Sequence, residues 1–481
     1  MRNLLFALLA ISLLFAFTQC DKVQENNTVV LSGKIENPNS DIVVFSISEY
    51  FEQIYLDTAY LDDKGLFYSS FELTDCHAIN LNDGKEVAHM YLCPGDSIFI
   101  TLDAKEFDES IQYEGKGASK NSFLAEYFLK FEDYNNESRI DFYTIRDTLI
   151  DIYIDLVNEN AAEAKSFLNH NVEEYNFPAS FVSYVDTKIY YTKIGNYRSA
   201  VIGKDRDTTI EYKQKREQVR KQIMNAGQFE NPNPYSQEYM SWITFTLPMI
   251  INGEVSKITE EYVANTHDSL KYSMIREYLS PDEFRIYLNN RAEFIAESYN
   301  PDRFATLITW IEGNYDDTAG LPEINKMYEE MIIDMSKPVP EDAVLYNLDD
   351  EDLLELSFDD VLAKYKGNVI YLDFWASWCG PCKAEMPNSA KLSKALAEED
   401  VVFLYVSTDK DAEAWEKMIR IMQLHGLHYR LGKNTRKAVF ETFGIKYIPH
   451  YVLFDKEGTM IKNNMSRPGD PETEKMIRGL L

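Results

Sequence analysis

The residues best equipped for chemistry lie in FWASWCGPCKAEMP, residues 374–387, which holds Cys379 and Cys382, two of the five cysteines in the 481-residue chain. Two cysteines separated by two residues either contribute half of a zinc site or form a reversible dithiol. A zinc site needs two further ligands. There is no second Cys-x-x-Cys pair, and His425, His428 and His450 follow no ligand spacing, so no metal is expected. The dithiol reading has positive support in what surrounds the pair. NVIYLDFWA before it is a buried-strand pattern, and CKAEMPNSAKLSKALAEED after it has helical periodicity. Cys379 then sits at a helix N-terminus, where free N–H groups and the macrodipole favour a thiolate. Pro381 suits the first helical turn, where its missing N–H costs nothing. Cys382, one turn in, is placed to attack a mixed disulfide from behind. The two sulfurs need no cofactor.

Around this unit the sequence predicts an α/β domain over 340–481. SKPVPEDAVLYN, with two prolines in four residues, reads as the linker into it. NVIYLDFWA, the helix after the cysteines and VVFLYVST make a βαβ unit. AEAWEKMIRIMQLHG and TRKAVFETFGI add helices, and HYVLFDKEGTMIK a hairpin. Two carboxylates lie near the pair in sequence. Asp373 falls on the buried strand, where desolvation raises its pKa and its cost suggests a role. Glu385, three residues after Cys382, is either a member of the site or a solvated helix glutamate.

LDFWASWCGPCKAEMP resembles the thioredoxin superfamily, and within it the exported TlpA/ResA-like thiol-disulfide oxidoreductases. The resemblance implies a thioredoxin-like fold, Cys379 as attacking and Cys382 as resolving cysteine, and contacts to substrate from Trp378, Gly380 and Pro381. It also implies a cis-proline facing the dithiol, and Ile448-Pro449 stands at the matching place, Ile448 pairing with a substrate strand and Pro449 covering the sulfurs. Cytoplasmic-type thioredoxins carry an Asp where Asp373 stands, as proton acceptor from the resolving cysteine. Glu385 matches the Glu of the family phrase C-x-x-E-x-P. One departure is the strand VVFLYVS, which lacks the Lys that partners the buried Asp in thioredoxins. His450 stands where relatives often have Thr, and reads as a tuning residue or a strand-packing one, the latter preferred.

Residues 28–117 show six short strand patterns, VVLSGKI, DIVVFSI, GLFYSSFEL, HAINL, VAHMYL and DSIFITL, separated by turn-forming NPNS, DDKG, NDGK and PGD. They predict an antiparallel β-sandwich, and resemble the N-terminal β-domain of exported thioredoxin-like lipoproteins. Cys76 and Cys93 flank the NDGK turn on one face of the sheet. A disulfide and two separately buried thiols are both open, the second preferred because free cysteine is so often buried. Residues 118–335 change to helical periodicity and are rich in Tyr, with a capping box at Ser280 and Glu283. Aromatics at this spacing are expected in the core rather than on a binding face. The fold expected is multidomain α+β: β-sandwich, all-helical middle and thioredoxin-like C-terminus.

MRNLLFALLAISLLFAFTQC places Arg2 before an apolar run from Leu4 to Phe17. At 1.5 Å per residue this run is too short for a bilayer core of about 30 Å, and fits a signal peptide over residues 1–20. Cys20 lies where bacterial lipoprotein signals place the lipidated cysteine, although Phe17 and Gln19 depart from the usual flanks; cleavage after Ala16-Phe17-Thr18 is the competing reading. The expected address is the periplasmic side of the cell envelope, with a lipid anchor. A formal charge of −31, from 79 acidic and 48 basic residues, disfavours nucleic acid as partner. Three functions then compete. The first is a membrane-tethered oxidoreductase reducing disulfides of partner proteins, served by a membrane or periplasmic thiol donor; Gly380-Pro381 is thioredoxin's own dipeptide and favours reduction. The second is a binding lipoprotein with an accessory redox domain. The third is a thiol peroxidase, which needs Thr and Pro where Ala376 and Leu372 stand. A homo-oligomer is left open.

Overall fold

Alternating burial marks the N-terminal strands, the first above all. β1 (Thr28–Glu36) buries Val29, Leu31 and Ile35 on one face and turns Ser32 and Lys34 outward. The computed structural model describes residues 27–49, 52–132, 150–202, 209–258, 264–315, 320–348 and 358–481. After β1 come β2 (Ile42–Glu49), β3 (Glu52–Tyr60), β4 (Leu66–Glu72), β5 (His77–Asn82), β6 (Val87–Leu92), β7 (Ser97–Asp103) and β8 (Gln112–Lys116). They form two sheets, ordered β4-β1-β7-β8 and β3-β2-β5-β6, closed over a core that includes Leu31, Val43, Phe45, Ile79, Met90 and Ile100. β3 and β8, absent from the sequence patterns, are both edge strands, and their exposed faces weaken the alternation. One pair, β1 with β7, is parallel rather than antiparallel: the chain visits the other sheet twice before β7 returns beside β1. Gly33 is required there, because a Cβ would lie 2.1 Å from the carbonyl oxygen of Ile100.

The expectation of free thiols at 76 and 93 is corrected. The turn centres on Gly84-Lys85, since Asn82 pairs with Val87 and His77 with Leu92. One step further, Cys76 lies opposite Cys93, with Cα atoms 4.0 Å apart, and the two are bonded. Next to this bridge the Asp96 carboxylate accepts from the Cys93 N–H (2.8 Å) and from Lys120 Nζ (2.8 Å), in a pair almost wholly out of water. Asn121 accepts from the Tyr91 N–H. These bonds lock helix Ala118–Phe131 against β6. The helical middle follows, with Ile150–Tyr175 against Ala179–Ile202. Many of its aromatics are core, as expected, with Phe123, Phe131, Phe177, Phe181 and Tyr184 gathered around Tyr91 of β6, whereas Tyr175, Phe245 and Phe294 are exposed. At helix Pro281–Glu297 the Ser280 N–H donates to Glu283 Oε2 (2.6 Å) and the Glu283 N–H donates to Ser280 Oγ (3.4 Å), the predicted capping box.

The chain divides into two compact units, 1–291 and 292–481. In the second, β9 (Val344–Asn347), β10 (Val369–Trp375), β11 (Val401–Ser407), β12 (Leu427–Arg430), β13 (His450–Phe454) and β14 (Met460–Asn463) form one sheet, ordered β14-β13-β10-β11-β12-β9. β10 to β11, β11 to β12 and β12 to β9 are parallel pairs, and β13 is antiparallel to β10. β12 was invisible as LHYR, too short and too polar for a buried strand. Its Arg430 is buried because the guanidinium donates to Asn347 Oδ1 and to the Asp409 carbonyl, and burial pushes the His428 pKa down to about 4, leaving it neutral. β10, wholly buried, separates two cores. Val369, Tyr371 and Trp375 face one together with both cysteines, whereas Ile370, Leu372 and Phe374 face the other. By the period of two, Asp373 faces the cysteines' side.

Candidate active site

Cys379 ends the turn after β10 and caps helix Gly380–Ala395, accepting from the Cys382 N–H at 3.2 Å. The two cysteines are joined in a disulfide. Cys379 keeps 5% of its surface and Cys382 1%, while Trp378 beside them is 70% exposed and Gly380 and Pro381 are exposed too. The turn is held from below by a residue the sequence reading missed. Asp409, buried after β11, accepts from the Ser377 N–H (2.8 Å), the Ser377 hydroxyl (2.7 Å) and the Ser407 hydroxyl (2.8 Å). Hydrogen bonds to a carboxylate are among the stronger ones, so this triple bracket fixes the base on which Trp378 and Cys379 stand. Nothing in STDKD distinguishes Asp409 from an ordinary post-strand acid; only the return of β11 beside β10 does.

Asp373 is 2% exposed and its Oδ1 has no hydrogen-bond partner. Burial, and then the charge of Glu385, push its carboxyl up to about 8. In register it lies between Tyr405 of β11 and Tyr451 of β13. Tyr405 thus occupies the strand in which thioredoxins carry the lysine, so the position beside Asp373 is neutral. Its hydroxyl meets Ser389 at 3.1 Å, and burial raises its pKa to about 12. Tyr451 Oη, also buried, has no partner. Tyr371, two residues before Asp373, donates to the Ser466 carbonyl. Glu385 is not free in solvent: Asn388 Nδ2 donates to it at 3.2 Å, and Arg467 Nη1 lies 3.4 Å from its Oε1.

The Ile448-Pro449 bond is cis. His450 pairs with Phe374, so Pro449 precedes β13 at the level where β10 runs into the cysteine turn, and Ile448 packs against the core that includes both cysteines. Tyr447 beside it is exposed. His450 is a packing residue, buried, its Nε2 paired with Asn463 Oδ1 at 2.8 Å. Cys379, Cys382, Asp373 and Glu385 therefore gather on one side of the sheet, Ile448 touches both cores, and Trp378, Gly380 and Pro381 form the rim at the outer sulfur. Cys20 lies outside the described residues. A further contact comes from before the α/β domain: Lys383, next to Cys382, donates to the Glu297 carbonyl, and Lys417 to that of Tyr299.

A family model for thioredoxin-like domains matches residues 367–460. The thiol-disulfide oxidoreductase ResA of Bacillus thuringiensis (strain Al Hakam) is 25% identical over 120 residues, which cover 25% of this chain and 65% of that one. ResA of Bacillus subtilis (strain 168) is 27% identical over 101 residues, 21% of this chain and 55% of that protein. The chain thus spans less than two thirds of either relative. A solution structure from Bacteroides vulgatus, given provisionally as a thiol-disulfide oxidoreductase, is 39% identical over 25% of this chain and 77% of its own, with a TM-score of 0.24.

Proposed function

From a chain whose C-terminal part is a thioredoxin-like domain similar to the thiol-disulfide oxidoreductases, we propose that this protein is a thiol-disulfide oxidoreductase that reduces disulfides of partner proteins. The Cys379 thiolate attacks one sulfur of the client's disulfide; that bond breaks, and the released client sulfur takes up a proton. The Cys382 thiol then gives its proton to a base and attacks Cys379. The mixed disulfide breaks, the client leaves as a dithiol, and the two electrons have come from this protein, which is left as the Cys379–Cys382 disulfide. Asp373, on the cysteines' side of the sheet, is the proton acceptor in this scheme. Trp378, Gly380, Pro381, Ile448 and Pro449 hold the client. A thiol donor in the envelope restores the dithiol. Cys20, lipidated, tethers the chain to the membrane on its periplasmic side.

One observation carries the reading: the two sulfurs are bonded at a helix N-terminus, Cys379 capping the helix beside exposed Trp378, Gly380 and Pro381, and Cys382 one turn in, the order an attacking and resolving pair requires. Direction rests on Gly380-Pro381 and on Asp373. Cys382→Ser in the full chain is expected to accumulate mixed disulfides through Cys379, released by reductant and absent when Cys379 is also replaced. Failure to trap any client sinks this reading in favour of a binding protein with an accessory redox domain.

A further inference from the structure

The surroundings of Asp373 have an unusual charge order. Three tyrosines face the carboxyl from three strands: Tyr371 on its own strand, Tyr405 on β11 and Tyr451 on β13. The helix after the cysteines contributes Glu385 and the two sulfurs. Arg467 is the cation that contacts this cluster, and it touches Glu385 rather than Asp373; Lys383, beside Cys382, is turned to the Glu297 carbonyl. The loop that carries Arg467 is not adventitiously close. The Met465 N–H donates to the Tyr451 carbonyl, the Tyr371 hydroxyl donates to the Ser466 carbonyl, and the Thr473 hydroxyl donates to the Arg467 carbonyl. Two of the tyrosines packed around Asp373 therefore also hold the loop, and the sequence runs from a cation at the surface, through a half-buried carboxylate, to an orphaned buried carboxyl.

We infer that Arg467 is a positioning residue for proton transfer at the dithiol, holding the Glu385 carboxylate and offsetting the repulsion that Glu385 exerts on an ionising Asp373. This deepens the oxidoreductase reading and rests on it for its purpose, because Asp373 can accept a proton only if it is ionised part of the time. Buried Asp373 opposite ionised Glu385 alone is held protonated. A positive charge on the far side of Glu385 weakens that field, and so brings the carboxyl back toward working pH. The role that thioredoxins give to a lysine in the sheet is here moved to the loop after β14, and acts through a second carboxylate. Arg467 is itself largely exposed, so the effect is screened and falls with salt.

The test reads Asp373 directly. In the oxidised full-length protein, the infrared carbonyl band of the buried protonated carboxyl, identified by its loss in Asp373→Asn, is followed against pH. Arg467→Gln is expected to move its midpoint up by about half a pH unit, Arg467→Lys to restore most of it, and Glu385→Gln to move it down. The upward shift should shrink in high salt. In the reduced enzyme the same shift should appear in the pH profile of mixed-disulfide resolution. A midpoint unmoved by Arg467→Gln, or moved downward, overturns the inference. The infrared titration involves no turnover, so its outcome stands apart from that of client trapping.

Discussion

At the scale of single residues, Asp373 is where the sequence spoke most directly. Its place on a strand with no other polar residue was enough to predict burial and a raised pKa, and the structure supplies both. Its surroundings were not legible. Tyr405, Tyr451, Arg467 and Asp409 come from strands and loops remote in sequence, and no local pattern distinguishes them. A carboxyl pushed up to about 8 keeps a proton in the folded protein that the unfolded chain has already released near pH 4. Folding stability of the oxidised protein is therefore expected to fall as pH rises from about 4 through about 8, by at most on the order of 5 kcal/mol. Asp373→Asn removes this contribution. Denaturant unfolding at pH 5 and pH 8, followed by tryptophan emission, should show a clearly smaller difference in the variant; an equal slope in both proteins would show that Asp373 does not carry it.

At the scale of elements, legibility followed burial contrast. Strands with one wet face, such as β1 and β4, announced themselves by alternation, and β10 by an apolar run interrupted only by Asp373. Edge strands β3 and β8, and the polar β12, did not, because their pairing is decided by partners distant in sequence rather than by their own pattern. The β5–β6 hairpin shows the same limit. Its strands and its turn were readable, but its register, and with it the choice between a bond and two free thiols, turned on whether the loop centres on residues 83-84 or 84-85. The resulting Cys76–Cys93 bridge closes a separation of 17 residues, and both cysteines pack against the aromatic core that the helices share with Tyr91. Replacing both by alanine is expected to cost the N-terminal unit about 3 kcal/mol, measured by denaturant unfolding without reductant. With dithiothreitol present the N-terminal unit of the parent should lose a similar amount, and that of the variant nothing.

At the scale of the whole molecule, the C-terminal fold was legible because one motif and its flanking strand and helix determine most of it. The order of β-rich, helical and thioredoxin-like parts followed from where the hydrophobic period changes. The two compact units, however, divide at 291/292, within helix Pro281–Glu297. No change of period marks that point, since the division depends on what the helices after it touch: Lys383 and Lys417 bond to carbonyls at 297 and 299, well upstream of the linker prolines. Among the described residues no helix is long and apolar enough to cross a membrane, and the proposed anchor resides in Cys20 alone. Mass spectrometry of the mature chain from membranes is expected to show a diacylated or triacylated Cys20 at the N-terminus; a free Gln19 start rules the lipid out. Finally, the two tryptophans that bracket the cysteine turn live in different media. Trp375 is sealed in the sheet, whereas Trp378 stands in water beside the outer sulfur. Of the chain's five tryptophans, Trp242, Trp310, Trp375 and Trp415 are buried and Trp378 alone stands in water. Trp378 is thus the one red-emitting reporter of the folded protein, so anything that docks at the outer sulfur should shift emission to the blue, whereas unfolding shifts it to the red.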